Sequence, residues 1–243
     1  MCGRFSPRQR VEAYEDVLEA FDLPLPDQGS FDWDQPEICP TQAYPVIRRA
    51  DIGYTFEIMR WGLVPFWFPE PAGLWTASTS NARIEEIQDK PSFRGVFARN
   101  HCLIPVAWFW EWFSTPDHPE IRKRYEIHRA DNFSTVFAGI WDHHIDPSGR
   151  TTNSFTILTR APGPDLSPVH EREPITLKPF EFKDWIDCWP VESIDQVKGI
   201  WPSTPAGTFT FAPSRYETPT KPKAESTGTK KKADPTQQLD LFG

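Results

Sequence analysis

The stretch HCLIPVAWFWEWF, residues 101–113, decides the fold of this chain. Its two halves, His101 to Pro105 and Trp108 to Phe113, are short runs of apolar and aromatic residues, a composition typical of β-strands. The stretch therefore predicts two successive strands, the second of which is densely aromatic and carries a single carboxylate in its middle.

Further strand-like segments lie on both sides of this stretch. Two precede it around a turn that ends at Gly53, and three follow it with hairpin signals between them. These strands are predicted at residues 43–49, 54–61, 122–129, 134–141 and 153–160. Between them, Gly62 and Pro65 deny regular structure to the segment from Trp61 to Trp67, so both indoles are expected on a loop or irregular strand.

Helical segments are fewer than strands. Apolar residues at helical spacing predict an amphipathic helix over residues 8–21, and shorter helical or turn segments are predicted at residues 81–88, 179–186 and 192–200. Because short strands dominate, the sequence predicts an α+β fold. In that fold a curved, barrel-like, mostly antiparallel β-sheet carries a few flanking helices.

Composition limits the class of protein. The chain has 243 residues, of which 38% are hydrophobic, and its formal net charge is -8 with a pI near 5.3. This charge argues against a protein that coats nucleic acid electrostatically, although a local basic groove remains possible. The absence of a long apolar run or a signal-peptide pattern predicts a cytoplasmic protein, which would be nucleoid-associated when engaged with DNA.

Cysteine and histidine usage predicts no metal or other cofactor. The four cysteines are scattered without a C-x-x-C pair and are expected to be reduced thiols. His143 and His144 are adjacent, so they would point to opposite faces of a strand, and no third ligand is spaced nearby.

Composition also divides the chain into three parts. Residues 1–214 have the hydrophobic patterning of a folded region, and the chain is long enough for one large domain or two small ones. From about residue 215 the chain becomes rich in Lys, Thr, Pro and Ser without hydrophobic periodicity, which predicts a disordered linker to residue 237. Residues 238–243 return to large apolar side chains, which is typical of a short docking peptide.

Cys2 is the strongest candidate for chemistry. Removal of Met1 would leave a cysteine with both a free thiol and a free α-amine, and an α-amino group titrates at about 7.7 to 8.0. The neutral amine can form a Schiff base with an aldehyde, and the thiol can then close a five-membered thiazolidine. The alternative is an ordinary small apolar residue at a frayed terminus.

Three further side chains are candidates with an alternative each. Aromatic neighbours would raise the pKa of Glu111 toward that of a general acid, or it pairs with an arginine at the rim. His170 lies in a loop between prolines and could pass protons near neutral pH, or it is a surface histidine. Asn81 would have a purely structural role if it is the N-cap of the segment that follows it.

Six short motifs in order resemble the SOS-response-associated peptidase (SRAP) family of abasic-site processing proteins. They are Met1-Cys-Gly-Arg-Phe5, Trp61-Gly-Leu-Val-Pro-x-Trp67, Asn81-Ala-Arg83-x-Glu85, Cys102-Leu-Ile-Pro105, Trp110-Glu111-Trp112 and His170-x-Arg172-x-Pro174. The resemblance implies one α+β domain with a curved barrel-like sheet and a DNA cleft. It also implies a mature N-terminal cysteine that crosslinks to abasic sites in single-stranded DNA, with possible self-removal of the methionine and lyase activity.

The resemblance further implies a role for each candidate residue. Cys2 would be the nucleophile, Glu111 would assist imine formation and proton transfer, Asn81 would position Cys2 or the sugar, and His170 would shuttle protons. The implied DNA contacts are phosphates held by Arg4, Arg83 and Arg172 and unpaired bases stacked on Trp61 and Trp67.

Two positions depart from the family pattern. Glu37 stands where the family usually has an asparagine, and Glu173 replaces a methionine. A negative charge near phosphates weakens binding, so both acids are expected to lower the affinity for DNA.

The end of the chain has a resemblance of its own. Gln238-Leu239-Asp240-Leu241-Phe242 resembles the pentapeptide by which bacterial replication and repair proteins dock on the β sliding clamp. A flexible tether before it would raise its effective concentration at the replication fork. The resemblance implies the clamp as a partner and a bacterial or phage source.

Alternatives remain open from the sequence alone. Cys2, His170 and Glu111 could form the nucleophile, base and orienting group of a cysteine peptidase. A non-catalytic single-strand binding module would use the tryptophans and would function without Cys2. Within the crosslinking interpretation, strand scission could outpace stable attachment and make the protein a lyase.

Overall fold

The structure is a computed structural model. It describes residues 2–7, 14–24, 31–115, 118–131, 133–188, 190–191, 195–198 and 202–214. Met1, the first part of the predicted N-terminal helix, the predicted linker and the predicted docking peptide Gln238 to Phe242 lie outside the described residues.

Five strands close into a barrel. They are β2 (Ala43–Arg49), β3 (Tyr54–Trp61), β5 (His101–Val106), β8 (Thr135–Ile145) and β9 (Thr151–Arg160). The order β9-β3-β2-β5-β8 is closed by pairing of β8 with β9. The β3–β9 pair is parallel and the other four pairs are antiparallel, which confirms the predicted barrel-like, mostly antiparallel sheet.

Three short strands extend the barrel at β9 and β8. The strand β4 (Asn81–Arg83) runs parallel to β9, whereas β10 (Glu173–Pro174) pairs with β9 and β11 (Thr176–Leu177) pairs with β8 in antiparallel fashion. The segments that carry Asn81 and His170 therefore approach the same barrel strand.

A second, antiparallel sheet carries the aromatic stretch. It contains β1 (Phe5–Ser6), β6 (Trp108–Thr115), β7 (His118–Arg129) and β12 (Phe209–Pro213) in the order β1-β6-β7-β12. Phe5 pairs with Phe109 in this sheet. The N-terminus is thereby held against the strand that carries Glu111.

Short helices lie outside the barrel. They are α1 (Glu15–Phe21), α2 (Pro91–Phe97), α3 (Phe182–Ile186) and α4 (Asp195–Lys198). Pro91 occupies the first turn of α2, where its missing N–H costs nothing. In the described part of the chain no helix is long and apolar enough to cross a membrane.

The apolar residues form two clusters, one on each face of the barrel strands. The first cluster takes alternate residues from all five barrel strands, among them Tyr44, Met59 and Ile104, together with Phe5 and Phe109 from the second sheet. The second cluster takes the other alternate residues and packs them under α1, α2 and α3. The strict alternation follows from the two-residue period of a strand. The first cluster therefore fills the barrel interior, and Cys2 belongs to it.

Two local predictions are wrong. Asn81 is not a helix N-cap, because it lies in β4 and the 3-10 helix Ile84–Glu86 begins only after Arg83. Trp61 is the last residue of β3 and is fully buried, with its indole N–H donating to the Ser80 carbonyl oxygen at 2.8 Å. Because its position in β3 points inward, Trp61 does not offer an open face to a base.

Candidate active site

Cys2 is held in place by two neighbouring elements. The side-chain amide Nδ2 of Asn81 donates a hydrogen bond of 3.0 Å to the Cys2 carbonyl oxygen. The Cys2 Sγ lies 3.7 Å from the Arg4 carbonyl oxygen, which also accepts the Trp110 backbone N–H at 3.1 Å. The N-terminal segment is thus fixed to β4 on one side and to β6 on the other.

The surroundings of Cys2 keep its thiol protonated. Burial, and next the negative charge of Glu111, raise the pKa of the Cys2 thiol well above its ordinary value. At neutral pH the sulfur is therefore a thiol, and it needs a base to accept its proton when it reacts.

Glu111 lies at the centre of the aromatic strand. It is buried, and it points to the same face of β6 as Phe109, which belongs to the barrel-interior cluster that includes Cys2. The negative charge of Glu111 contributes to the raised pKa of the Cys2 thiol, so the carboxyl group lies within electrostatic range of the sulfur. The alternation of the aromatic stretch thus aims the one carboxylate of this strand at Cys2.

Asn81 presents both ends of its amide to this site. Its position opposite Ile157 of β9 fixes the backbone, and its Nδ2 holds Cys2. The Asn81 Oδ1 is buried and has no hydrogen-bond partner among the described residues. A buried acceptor of this kind is available to a donor on a bound molecule.

His170 and Arg172 form a unit on the other side of β9. The Arg172 backbone N–H donates to His170 Nδ1 at 3.0 Å, so in the neutral ring Nε2 carries the hydrogen. The Arg172 guanidinium donates to Glu85 at 3.0 and 2.7 Å and to the Thr159 carbonyl oxygen at 2.6 Å. Partial burial raises the pKa of Glu85, but the hydrogen bond and charge of Arg172 outweigh it and hold that pKa below its usual range.

The strand β9 connects this unit to Asn81. Thr159, whose carbonyl oxygen binds Arg172, pairs with Arg83 of β4, and Asn81 lies two residues earlier in the same strand. Through β4 and β9 the barrel therefore links Cys2, Asn81 and Arg172, although they are far apart in sequence.

An ion cluster beside Cys2 was missed by the sequence reasoning. Glu37 forms salt bridges with both Arg4 and Arg124, and the Arg124 guanidinium lies 4.0 Å from the centre of the Trp110 ring. Arg124 pairs with Trp112 across the β6–β7 hairpin. The hairpin register was the signal that could have found it, because cross-strand partners share a face.

Glu173 was expected near DNA phosphates, but the structure buries it inside the protein. It is 1% exposed and binds the Arg160 Nε at 2.8 Å and the Thr204 hydroxyl at 2.6 Å. The Gly163 backbone N–H also donates to it, at 2.8 Å. The expectation that Glu173 repels phosphates is therefore wrong, because its carboxylate is buried and binds Arg160, Gly163 and Thr204.

The two remaining predicted DNA contacts are at the surface. Arg83 is half-exposed and pairs with Glu86 at 3.1 Å. Trp67 is 46% exposed and packs edge-on against Trp75 at 5.9 Å, on a loop whose Phe66 backbone N–H donates to Asp142 at 2.8 Å. Of the two tryptophans expected to stack on bases, Trp67 presents an open face and Trp61 does not.

A closed barrel that holds Cys2, the residue after Met1, through Asn81 and within the electrostatic range of a buried glutamate is the arrangement that a comparison with known families can classify. Residues 1–213 match the model of the family described as SOS response associated peptidase (SRAP). The chain belongs to this family, which confirms the resemblance found in the sequence.

Named relatives support this membership. The chain is 29% identical over 190 residues to the abasic site processing protein YoqW of Bacillus subtilis, covering 77% of this chain and 80% of the relative. It is 24% identical over 193 residues to the abasic site processing protein YedK of Escherichia coli, covering 76% and 79%. The mouse protein HMCES, also named an abasic site processing protein, is 29% identical over 251 residues, covering 83% and 69%.

Solved structures share the fold. A crystal structure of a protein from Bacteroides thetaiotaomicron superposes with a TM-score of 0.71 at 22% identity, covering 88% of this chain and 92% of the other. A protein from Bordetella bronchiseptica gives a TM-score of 0.70 at 21% identity, covering 88% and 100%.

Proposed function

We propose that this protein processes abasic sites in single-stranded DNA by attaching itself covalently through Cys2. The observation that carries the proposal is the position of Cys2, which is anchored by Asn81, faces Glu111 and lies two residues from Arg4. The names of its relatives as abasic site processing proteins support the substrate.

The reaction requires that Met1 be removed, by self-cleavage or by another enzyme. The freed α-amine of Cys2 then attacks the C1′ aldehyde of the ring-opened abasic sugar, and loss of water gives an imine. The Cys2 thiol adds to the imine carbon while a proton moves to the nitrogen, and a thiazolidine closes. Aldehyde and cysteine thus give thiazolidine and one water, with no oxidant or cofactor.

The order of these steps follows from the state of the thiol. Because the Cys2 thiol stays protonated at neutral pH, the amine reacts first and the sulfur needs a base in the second step. Glu111 is the buried carboxylate whose charge reaches Cys2, and it takes the role of proton acceptor and donor.

The other site residues hold the substrate in this proposal. Asn81 orients Cys2 and offers Oδ1 to a sugar hydroxyl. His170, with the hydrogen on Nε2, moves protons during ring opening and during strand cleavage if the protein acts as a lyase. Arg4, Arg83 and Arg172 bind phosphates, and Trp67 stacks on an unpaired base.

The cysteine-peptidase alternative is not favoured by the raised pKa of the Cys2 thiol. A peptidase needs a thiolate, which requires the pKa of the nucleophilic thiol to be lowered. Burial and Glu111 raise the pKa of Cys2 instead. A thiol that reacts only after an imine has formed suits a DNA aldehyde better than a peptide carbonyl.

We also propose that residues 215–237 are a flexible linker and that Gln238 to Phe242 bind the bacterial β sliding clamp. The support is the sequence pattern alone, because these residues lie outside the described part of the chain. Deleting residues 238–243 should abolish co-elution with purified clamp while leaving crosslinking unchanged.

The test of the main proposal is a denaturing gel. The mature protein is incubated with a single-stranded oligonucleotide that carries one abasic site, beside Cys2→Ala, Glu111→Gln and an undamaged oligonucleotide. We expect a heat-stable shifted band that requires Cys2 and the lesion, and a rate lowered about 100-fold or more in Glu111→Gln. Strand cleavage without a stable band would indicate a lyase. Neither product, with loss of Met1 verified by mass, would refute the proposal.

A further inference from the structure

The carboxylate of Glu37 lies between the guanidinium groups of Arg4 and Arg124, and this pair of arginines is called the Arg4–Arg124 receptor. Glu37 bridges Arg4 and Arg124, two guanidinium groups contributed by different parts of the chain. The Arg4 guanidinium lies 5.6 Å from the centre of the Trp112 ring, and the Arg124 guanidinium lies 4.0 Å from that of Trp110. Two arginines converging on one oxyanion is the arrangement that proteins use to bind phosphate.

Arg124 is much more deeply buried than the arginine of a surface ion pair. Its side chain is 4% exposed, compared with 26% for Arg4 and 12% for Glu37. The Arg124 Nε is buried and has no hydrogen-bond partner among the described residues. A carboxylate that binds one Nη leaves this donor unused, whereas a phosphate offers more acceptor oxygens.

The backbone ties this receptor to the N-terminal segment that carries Cys2. The Arg4 carbonyl oxygen lies within 3.7 Å of the Cys2 Sγ and accepts the Trp110 backbone N–H. The Ile38 backbone N–H donates to the Phe5 carbonyl oxygen at 2.8 Å, so the segment that carries Glu37 is tied to the N-terminal strand. A phosphate bound between Arg4 and Arg124 would therefore contact the side chain of Arg4, two residues from Cys2 in the N-terminal segment.

We propose that Glu37 is an intramolecular substitute for a DNA phosphate, which must leave the Arg4–Arg124 receptor before DNA can occupy it. This inference rests on the proposed function and names Arg124 as a further DNA-binding residue. Exchange of one anion for another makes non-covalent binding weak, so undamaged strands dissociate readily. An abasic site is retained because Cys2 forms a covalent bond.

The salt dependence of binding provides a signature of this exchange. A displaced carboxylate stays near the DNA and offsets part of the charge that the arginines neutralise. Removing it should steepen the slope of log affinity against log salt by about 0.7 for each phosphate additionally neutralised on a single strand.

The test measures binding of an undamaged single-stranded oligonucleotide by fluorescence anisotropy over a series of salt concentrations. Glu37→Gln is compared with wild type and with Glu57→Gln, which makes the same charge change at a half-buried glutamate paired with Arg48 on the barrel. We expect Glu37→Gln to bind about three- to tenfold more tightly with a steeper salt slope. Adding Arg124→Gln to Glu37→Gln should abolish this gain.

Three outcomes would overturn the inference. Equal gains in Glu37→Gln and Glu57→Gln would show an effect of net charge alone. Unchanged or weaker binding by Glu37→Gln would show that Glu37 only orients the arginines. Tight binding that persists in the Arg124 double variant would remove Arg124 from the site. If Glu37→Gln does not fold, as judged by thermal denaturation, Glu37→Asn takes its place in the same comparison.

Failure of this inference and failure of the proposed function are distinguishable because undamaged DNA cannot be crosslinked. Crosslinking by wild type without tighter binding by Glu37→Gln would leave the function in place and remove the role of Glu37. Tighter binding by Glu37→Gln without crosslinking of abasic DNA would keep the role of Glu37 and remove the covalent function.

Discussion

The side-chain amide of Asn81 donates a hydrogen bond of 3.0 Å to the carbonyl oxygen of Cys2, which joins a short barrel strand to the N-terminus. The contact orients the residue that carries both the amine and the thiol. The Asn81 Oδ1 is buried and has no hydrogen-bond partner among the described residues. The barrel therefore positions Cys2, the proposed nucleophile, through the side chain of Asn81.

Replacing Asn81 by Asp should slow crosslinking. The change removes the N–H donor and places a carboxylate against the Cys2 carbonyl oxygen, which disorients the nucleophile. We expect the single-turnover rate with abasic DNA to fall about 10- to 100-fold. Asn100→Asp, at the connection between α2 and β5, makes the same charge change and serves as the control. Equal rates for both variants would contradict a positioning role for Asn81.

Replacing Glu173 by Ala should strongly destabilise the fold. The buried Arg160 would lose its carboxylate partner, and the Gly163 N–H and Thr204 N–H would lose their acceptor. Breaking a buried ion pair on one side costs about 3–5 kcal/mol, which urea denaturation would measure. Glu86→Ala, which removes the exposed partner of Arg83, should leave the denaturation midpoint close to that of wild type. Similar midpoints for the two variants would show that the Glu173 network is not structural.

Replacing Trp67 should weaken DNA binding, whereas replacing Trp61 should lower the stability of the fold. Trp67→Ala removes an exposed ring and should weaken single-strand binding by about 1–3 kcal/mol with little change in stability. Trp61→Ala empties the barrel interior and should cost about 3–5 kcal/mol of unfolding free energy. Fluorescence anisotropy measures DNA binding and urea denaturation measures stability, so the two effects can be separated. If Trp61→Ala folds but loses DNA binding while Trp67→Ala still binds, Trp61 and not Trp67 would be the residue that stacks on DNA.

His101 should make the stability of the protein depend on pH. The ring is 2% exposed, stacks on Trp185 at 4.1 Å and has carbonyl oxygens of Trp185 and Phe97 at 2.9 and 2.8 Å from its two nitrogens. Burial lowers its pKa and outweighs the two carbonyl oxygens, which favour the protonated ring. The unfolded chain therefore binds a proton more readily than the folded one.

The sign of this dependence follows directly. The free energy of unfolding has its full value above the ordinary histidine pKa of about 6.5. It falls as the pH drops toward the lowered folded-state pKa of His101, by at most about 1.4 kcal/mol per pH unit. Urea denaturation between pH 8 and pH 5 should show this loss in wild type and a smaller loss in His101→Gln. Identical pH profiles would exclude His101 as the source.

Much of the fold followed from local patterns. The apolar and aromatic composition of residues 101–113 and the flanking strand segments predicted the barrel, because short runs of β-branched and aromatic residues bounded by turn signals are typical of strands. The structure has strands at 43–49 and 54–61 as predicted, and the later strands begin or end a few residues beyond their predicted bounds. The error at Asn81 arose because an Asn before a short polar run favours an N-cap locally, whereas pairing with β9 makes it a strand.

By itself, the sequence determined the chemistry that the chain can carry: a cysteine next to the initiator methionine, one carboxylate in an aromatic strand, and motifs whose order identifies the family. Only the tertiary structure decided which charges face the site. Glu37 and Glu173 are the same residue type and cannot be distinguished by sequence alone. In the structure Glu37 bridges Arg4 and Arg124, whereas Glu173 is buried with Arg160. The physical reason is that the interaction of a charge depends on its distance to partners and its burial, and barrel closure sets both between residues far apart in the chain.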